Sequence, residues 1–323
     1  MDHKLLEQLS RISEEEKSIL CGGGIDMREY GIAQKNRVDA DKMLGNTQLI
    51  AIRAHTRFAA FPRHRHDFVE IMHVCKGSIT HQVGGQRITV RAGELLFLGR
   101  NTWHEILPAD KEDIAVNFVI RPAFFHTAFD MMDEQNVLSD FIVTCLSGEG
   151  TVDEYLHFAV SDLLPVQNLV ENLVYSLCHA EESSAKINEV TMGLLFLRLL
   201  RSTVRAETCS APRTLALRAL TYIDENYLNA SLGQFSKQNG MPDYEASRMI
   251  KRQLGMNFQQ LLLEKRLSVA LKLLRKTKLP VTEIITLVGY ENTSYFYRAF
   301  QKRYSMSPQQ YRQSVCAESE SCK

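Results

Sequence analysis

The C-terminal third of the chain contains one helical pattern twice. In the second copy, residues 281–303, Val281, Ile284 and Val288 fall on one face of a short helix. Gly289 follows, at a point where a tight turn needs a residue that tolerates a positive φ angle. A second short helix comes next, with a basic outer surface and a predicted apolar face of Tyr295, Phe296, Ala299 and Phe300. Two short helices joined in this way form a helix-turn-helix.

The first copy covers residues 231–255. It has a short amphipathic helix, a turn at Asn239-Gly240 and a helix that opens at Pro242-Asp243. The two copies also close alike, with Gly255-Met256-Asn257-Phe258 in one and Ser305-Met306-Ser307-Pro308 in the other. A single pair of this kind is also found in ordinary helical hairpins, so the repetition is the informative feature.

The segment 258–277 is predicted to be one continuous helix between the copies. At a rise of 1.5 Å per residue, its length is about 30 Å. One turn of B-DNA measures about 34 Å. A rigid helix of this length can therefore place two recognition helices in successive major grooves on one face of DNA.

This part of the chain resembles the DNA-binding domain of the AraC/XylS family of bacterial transcription regulators. The resemblance rests on the second helix pair, VTEIITLVGYENTSYFYRAFQKRYSMSPQQYR, and on the joining helix, RLSVALKLLRKTKLPV. The first copy departs from the family pattern at Gln234-Phe235-Ser236 and at Pro242-Asp243, so its base preference is left open.

The resemblance implies that double-stranded DNA is a partner and that the outer residues of both recognition helices contact it. Arg248 and Arg298 are the predicted base readers, since a guanidinium group can pair with guanine through two hydrogen bonds. The other predicted base-facing residues are Tyr244, Ser247, Thr293, Ser294 and Tyr297. Lys251, Lys302 and Arg303 are expected to hold phosphates, which adds affinity without sequence information.

The charge distribution supports this division. Residues 213–316 carry 16 Lys and Arg against 7 Asp and Glu, while the chain as a whole has no net charge. A basic end on a neutral protein indicates that one part meets phosphates and the rest does not. The seven scattered cysteines, the lack of a long apolar run and the lack of a secretion signal predict a cytoplasmic protein.

The first part of the chain has a different pattern. Residues 1–45 are predicted to form an arm, in which residues 1–20 make one amphipathic helix. Residues 46–121 contain short strands and turns, including Gly84-Gly85 between alternating runs, which is typical of a β-sandwich or barrel.

Two stretches of this β-region, HRHDFVEIMHVCKG and GELLFLGRNTWHEI, resemble the signature motifs of the cupin jelly roll. The match covers His64, His66, Glu70, Gly77, Gly93 and His104. Phe58 stands where the first motif usually opens with Gly, and Gly99 where the second usually has Pro.

In metal-binding cupins the ligands are the residues at the positions of His64, His66, Glu70 and His104. Three interpretations stay open for these four residues: they bind a metal, they bind a polar effector, or they hydrogen-bond one another inside the barrel. Trp103 is the fifth candidate member of an effector site, where it would stack on a sugar-like ring. No cofactor is predicted, and no phosphate loop or nucleophile elbow is present, so the sequence does not indicate an enzyme.

Residues 122–206 are predicted to be helical. Two of their segments repeat apolar residues at helical spacing: Val166, Leu169, Val170, Leu173, Val174 and Leu177, and Met192, Leu195, Phe196, Leu199 and Leu200. We expect part of this surface to pack on the barrel and part to form a homodimer. Residues 207–213 are predicted to be a linker to the DNA-binding domain, 214–315.

The predicted architecture is an α+β multidomain protein: an N-terminal cupin-like barrel, a helical dimerisation segment and an all-α twin helix-turn-helix domain. The favoured function is an effector-controlled transcription regulator, expected to be an activator that also contacts RNA polymerase. A metal sensor or metalloenzyme fused to a DNA-binding domain is the alternative. A purely architectural DNA-binding protein would leave the β-region unexplained.

Overall fold

The structure, a computed structural model, describes residues 1–28, 30, 36–45, 48–121, 124, 155–179, 184–202, 206–208, 211–290 and 292–313. Within these ranges the contacts form two compact units, one ending at Thr214 and the other starting at Leu215. Each unit has its own core.

The first unit begins with helices α1 (His3–Ser10) and α2 (Glu14–Leu20), strand β1 (Arg37–Val38) and helix α3 (Ala40–Leu44). Eight strands follow: β2 (Ile50–Ala54), β3 (Phe61–His66), β4 (Val69–Lys76), β5 (Ser78–Val83), β6 (Gln86–Arg91), β7 (Leu95–Leu98), β8 (His104–Ile106) and β9 (Ile114–Ile120). The unit continues with β10 (Tyr155–Phe158), α4 (Leu164–Cys178), α5 (Ala185–Leu200) and β11 (Ala206–Thr208).

The strands form two sheets. One has the order β1-β3-β8-β5-β6, and the other has the order β11-β10-β7-β4-β9-β2. Ile79 and Val90 from the first sheet share one buried apolar cluster with Met72, Leu96 and Val119 from the second. Two sheets with a common core make a β-sandwich, which confirms the predicted cupin-like architecture.

Helices cover the outer face of the larger sheet. The ring of Phe196 on α5 meets Phe97 on β7 edge to face at 5.6 Å, and Phe97 meets Phe158 on β10 at 5.4 Å. Because both faces of the sheet are covered, every residue of β4 from Val69 to Val74 is buried. The apolar faces predicted for the two helices are therefore used mainly inside this unit.

Two segments differ from the prediction. Tyr155–Phe158 lies in the segment predicted to be helical, but it forms β10 and pairs with β7 and β11. Four residues are too few to show a period, and their apolar side chains are buried by the sheet. Residues 207 and 208 were assigned to the linker, yet β11 pairs with β10 and the next helix starts at 211. Most of 122–154 and residues 181–183 lie outside the described residues.

Residues 1–20 contain two helices where the sequence predicted one. Ser13 starts α2 with a capping box: its hydroxyl accepts from the Glu16 amide at 3.1 Å, and the Glu16 carboxylate accepts from the Ser13 amide at 2.9 Å. This reciprocal pair fixes a new helix start within the amphipathic run.

A buried ion pair fastens the arm to the sandwich. The guanidinium of Arg57 donates to both Glu16 carboxylate oxygens, at 2.7 and 2.9 Å, and both side chains are less than 5% exposed. Arg57 also donates to the carbonyl oxygens of Ser10 and Lys111. Removing one partner would leave the other charge buried and unpaired, which typically lowers folding stability by about 3–5 kcal/mol. Glu16 therefore holds α2 in place.

The second unit contains six helices within its described residues: α6 (Ala211–Asn226), α7 (Leu232–Gln238), α8 (Asp243–Leu254), α9 (Phe258–Lys276), α10 (Val281–Leu287) and α11 (Thr293–Tyr304). Gly240 and Gly289 have φ angles of 65° and 82° in the turns α7–α8 and α10–α11, which only glycine adopts at little cost. Gly255 and Ser305 end α8 and α11 in the same left-handed conformation. The two predicted helix pairs are thus present with equivalent ends.

Candidate nucleic-acid interface and ligand cavity

The helices α8 and α11 each bury one face and expose the other. Ala246 and Ile250 anchor α8, and Phe296 and Phe300 anchor α11; all four are fully buried. The predicted DNA-contacting residues lie on the remaining surface. Those that are exposed are Tyr244, Arg248, Lys251, Thr293, Ser294, Arg298, Lys302 and Arg303, and those that are half-buried are Ser247 and Tyr297.

Two tyrosines of α11 differ from their predicted positions. Tyr295 was assigned to the apolar face but is 48% exposed, beside the ring of Tyr290 at 5.9 Å. A helix of 12 residues buries only a narrow stripe, and Phe296 and Phe300 already fill it. Tyr297 is half-buried and its hydroxyl accepts a hydrogen bond from Gln309. Tyr295 is therefore more available to DNA than Tyr297.

The two arginines of α11 have different surroundings. The guanidinium of Arg298 donates one long hydrogen bond, 3.4 Å, to the carbonyl of Ser294 on its own helix. Arg303 instead donates to the Glu264 carboxylate on α9 at 2.9 Å. An arginine already paired with a carboxylate is less available for a phosphate, so Arg303 contributes to the packing of α11 on α9.

Three consecutive charged residues in the middle of α9 connect it to its neighbours. Glu264 binds Arg303 on α11, and Lys265 forms an ion pair with Asp224 on α6. Arg266 donates to the carbonyl oxygens of Tyr227 and Leu228, both at 2.8 Å.

Arg266 also reaches the turn of the second helix pair. Its guanidinium lies 5.3 Å from the centre of the Tyr290 ring, and a Cβ atom at Gly289 would come within 3.2 Å of it. This one side chain therefore touches the segment before α7 and the turn after α10. Only these tertiary contacts distinguish Arg266 from the other basic residues of α9, so the sequence pattern alone does not single it out.

A cavity in the first unit opens between the two sheets. It has about 500 Å³ of empty space, including the part open to solvent. Its polar lining includes His64, His66, Glu70, Arg53 and Asn117. Strands of both sheets and the Tyr30 side chain supply walls, so the sandwich itself forms most of the cavity.

The predicted histidine and glutamate set is brought together at this cavity. His64 on β3 pairs in register with His104 on β8, and their rings are 4.1 Å apart. Glu70 reaches in from β4 of the other sheet, with one carboxylate oxygen 3.3 Å from His66 Nε2 and 3.5 Å from His104 Nε2. All four side chains are at least 90% buried.

Backbone carbonyls orient the three imidazole rings. The Nδ1 atoms of His64, His66 and His104 lie 2.8, 2.7 and 3.2 Å from the carbonyl oxygens of residues 62, 68 and 102. Each Nδ1 therefore carries the proton that is donated to a carbonyl, and a neutral ring then has its lone pair on Nε2.

Burial and the interactions among the four side chains set the charge state of this cluster. Burial, with the neighbouring His104, lowers the pKa of His64 to about 2, so this ring is neutral. Burial alone would raise the pKa of Glu70, but interactions with His104 and His66 hold it well below its usual value. Glu70 is therefore an ionised carboxylate inside the sandwich.

Three other residues of the predicted motifs have a clear structural role. Gly77 and Gly93 have φ angles of 73° and 83°, and a Cβ atom at either would collide with Asp113 or Ser161. Phe58 has a φ angle of 71°, so it keeps the left-handed backbone of the glycine that the motif usually has. This conformation costs a non-glycine residue about 1–2 kcal/mol.

Trp103 does not line the cavity. Its ring packs against the guanidinium groups of Arg63 and Arg65, at 5.2 and 5.1 Å. The predicted assignment of Trp103 to the effector site therefore finds no support in its position.

Comparisons with known proteins agree with this division into two units. The model of the AraC-like ligand binding domain matches residues 46–125, and the model of a helix-turn-helix domain matches residues 235–314. The HTH-type transcriptional activator RhaR of Mannheimia succiniciproducens is 26% identical over 258 residues, which cover 78% of this chain and 87% of that protein. RhaS of Enterobacter sp. is 24% identical over 82% of this chain and 92% of its own.

Solved structures match as well. The C-terminal domain of AraT, a response regulator from Geobacillus stearothermophilus, is 36% identical over 32% of this chain and 88% of its own, with a TM-score of 0.31. ToxT from Vibrio cholerae O395 is 12% identical over 82% of this chain and 97% of its own, with a TM-score of 0.33.

These findings define a transcription regulator in which a ligand-binding β-domain precedes a twin helix-turn-helix DNA-binding domain. The chain belongs to the AraC family, as its sequence motifs predicted, and it is a sequence-specific DNA-binding protein. Among the described residues, no helix has both the length and the apolar character needed to cross a bilayer.

The exposed guanidinium of Arg298 generates a prediction. Arg298→Ala should weaken binding to the specific DNA site by about 1–3 kcal/mol and relax the preference at one base position. Lys302→Ala, the matched control on the same helix, should weaken binding to all sequences about equally, since a phosphate contact carries no base information. Gel-shift titrations on a randomised operator library measure both effects. Unchanged affinity and base preference in Arg298→Ala would contradict the assignment.

Proposed function

We propose that this protein is an effector-controlled activator of transcription. A small polar molecule binds in the cavity between the two sheets, and its binding changes the affinity of the second unit for DNA. The protein acts in the cytoplasm, where it binds double-stranded DNA and contacts RNA polymerase, and it has no catalytic turnover. Membership of the AraC family and the composition of the cavity support this function.

The observation that carries the proposal is a set of buried acceptors without partners. Nε2 of His66 and Oδ1 of Asn117 have no hydrogen-bond partner within the described part of the chain, and both residues line the cavity. A buried polar atom left unpaired costs about 1–3 kcal/mol. A ligand that donates hydrogen bonds, such as a hydroxyl or amine compound, would satisfy them.

For the effector site we retain His64, His66 and Glu70, which line the cavity, with His104 behind them. Trp103 is left out because of its position against the two arginines. His55 and Asn117 are additions that the sequence did not suggest. Burial lowers the pKa of His55 to about 4, so its ring is a neutral hydrogen-bonding group.

For the DNA site we propose that Arg248 and Arg298 read bases, with Tyr244, Ser247, Thr293 and Ser294 beside them. Lys251 and Lys302 hold phosphates, and Tyr295 joins the contact surface because it is exposed. Tyr297 and Arg303 take a smaller part, since each has an internal partner.

We further propose a homodimer formed through α5. Ile187, Val190 and Leu194 are 63%, 37% and 43% exposed and recur at helical spacing, while the opposite face of α5 packs on the sandwich. An exposed apolar stripe on an already packed helix is typical of a subunit interface.

The α5 stripe leads to a prediction about assembly. Leu194→Asp should shift the protein from dimer to monomer, because a charge in an apolar interface is not paired. Leu20→Asp, which alters another exposed leucine, should leave the assembly unchanged. Sedimentation equilibrium distinguishes the two outcomes, and an unaltered mass for Leu194→Asp would refute this interface.

A second candidate function, metal sensing, is favoured by the geometry of one cluster. Nε2 of His66, Nε2 of His104 and a carboxylate oxygen of Glu70 lie within 4.8 Å of one another. All three are acceptors when the rings are neutral, so a hydrogen-bond donor or a positive charge among them would stabilise the cluster. A proton would give an imidazolium–glutamate pair, but 3.3 and 3.5 Å are long for such a hydrogen bond.

The residues present therefore fit a divalent transition metal. His66, His104 and Glu70 would hold the ion, and imidazole with carboxylate suits zinc, iron or nickel. The backbone carbonyls that accept from each Nδ1 would keep both rings oriented, as outer partners of metal ligands do. His64 is adjacent but does not belong to the converging set.

One experiment tests both candidate functions. Purified protein is assayed for metal content beside a thermal-shift screen of hydroxylated acids, amines and sugars, and each hit is titrated in a DNA-binding assay. We expect a compound that raises the melting temperature to change DNA affinity by about 5–150-fold. About one metal ion per chain, lost in His104→Ala but kept in His73→Ala, would instead support metal sensing. A stabilising compound that leaves DNA affinity and transcription unchanged would contradict effector control.

A further inference from the structure

A cluster of hydrogen-bond donors lies at the mouth of the cavity, and a glutamate from the N-terminal arm occupies it. The Glu15 carboxylate accepts from the Tyr30 hydroxyl at 3.0 Å, from the Thr56 hydroxyl at 3.0 Å and from the Arg53 guanidinium at 3.3 Å. Two hydroxyls and one guanidinium around a carboxylate form an anion-binding site.

The three donors are held in place by contacts of their own. The Arg53 guanidinium stacks over the Tyr30 ring at 4.1 Å, and the Tyr30 and Thr56 hydroxyls are 3.1 Å apart. Burial raises the pKa of Tyr30 to about 12, so its hydroxyl remains a donor at neutral pH. The three donors are therefore linked to one another by contacts that do not involve Glu15.

The position of this set connects it to the cavity. Tyr30, Arg53 and Thr56 all line the central cavity that contains His66 and Asn117. Arg53 and Thr56 also line a second cavity on the side of the arm, where Glu15 forms part of the wall. A ligand in the central cavity thus meets acceptors that are unpaired within the described residues at its inner end and anion-binding donors at its mouth.

We propose that Tyr30, Thr56 and Arg53 form a carboxylate subsite, which Glu15 fills when no effector is bound. The effector is a small organic acid with a hydroxyl or amino group. Its carboxylate replaces that of Glu15 at the mouth, and its donor group binds His66 and Asn117 inside. This inference rests on the proposed function, because it assumes that the cavity is the effector site.

The arm itself allows this exchange without unfolding. Glu16, the next residue, holds α2 on the sandwich through its buried pair with Arg57. Glu15 can therefore leave its partners while α2 remains docked. Replacing Glu15 by alanine removes the atoms of an acetate ion and leaves the donors in place.

The test is a rescue of Glu15→Ala by acetate. In the full-length protein, acetate at ten times its dissociation constant should raise the melting temperature of Glu15→Ala by about 3 °C over sodium chloride of equal ionic strength. Acetamide, which has the same shape without the charge, should have no such effect. Glu14→Ala is the matched control, since Glu14 is an exposed neighbour paired only with Lys17 in the described structure. The double variant Glu15→Ala/Arg53→Gln should lose the rescue.

Equal stabilisation of Glu15→Ala by acetate, acetamide and chloride, or equal rescue of Glu14→Ala, would overturn the subsite. Glu15→Gln, which keeps the size of the side chain, provides a second measurement if Glu15→Ala does not fold. It should bind lactate about tenfold more tightly than the wild type, with lactamide binding unchanged. Equal lactate affinity in both proteins would also overturn it.

Failure of the proposed function would have a different signature. The acetate rescue and the tighter lactate binding would occur, but no organic acid would alter DNA affinity. The subsite would then stand as an anion site without control of transcription.

Discussion

The fixed length of α9 is the constraint on which DNA recognition depends. Its 19 residues extend about 28 Å, close to one turn of B-DNA. A helix of this length fixes the spacing only if the two helix pairs at its ends cannot rotate independently. Glu264, Lys265 and Arg266 supply that restraint, because they bind α11, α6 and the carbonyls before α7 from one place on the helix. These contacts make the spacing of α8 and α11 a property of the fold.

The first unit follows a different principle. Helices cover the outer face of its larger sheet, but inside the sandwich some polar atoms have no hydrogen-bond partner within the described part of the chain. Unpaired Nε2 and Oδ1 atoms and the ionised Glu70 reduce the stability of the unliganded state. A ligand that pairs with them gains this free energy on binding. The unliganded unit therefore gives up stability that a bound ligand would restore.

Sequence periodicity predicted much of this molecule, but only where the signal was local. The two helix pairs, the turn glycines Gly240 and Gly289 and the convergence of His66 and His104 with Glu70 followed from spacing and motif. Strand β10 was missed because four residues carry no period and its partners lie far away in sequence. Arg266 and Glu15 were missed for the same reason: each gains its role from residues 38 or 39 and 15–41 positions away. Tyr295 and Tyr297 lie on one short helix, but Tyr295 is exposed and Tyr297 is half-buried, which helical spacing did not predict.

The central claim is that the two recognition helices bind successive major grooves on one face of DNA. Hydroxyl-radical footprinting of the full-length protein on its operator tests this most directly. The account predicts, for each DNA-binding domain, two protected segments about 10 base pairs apart on the same face. Arg266→Ala should reduce the simultaneous protection of both segments more than it reduces the protection of either segment by itself. A single protected segment per domain, or two on opposite faces of the helix, would contradict it.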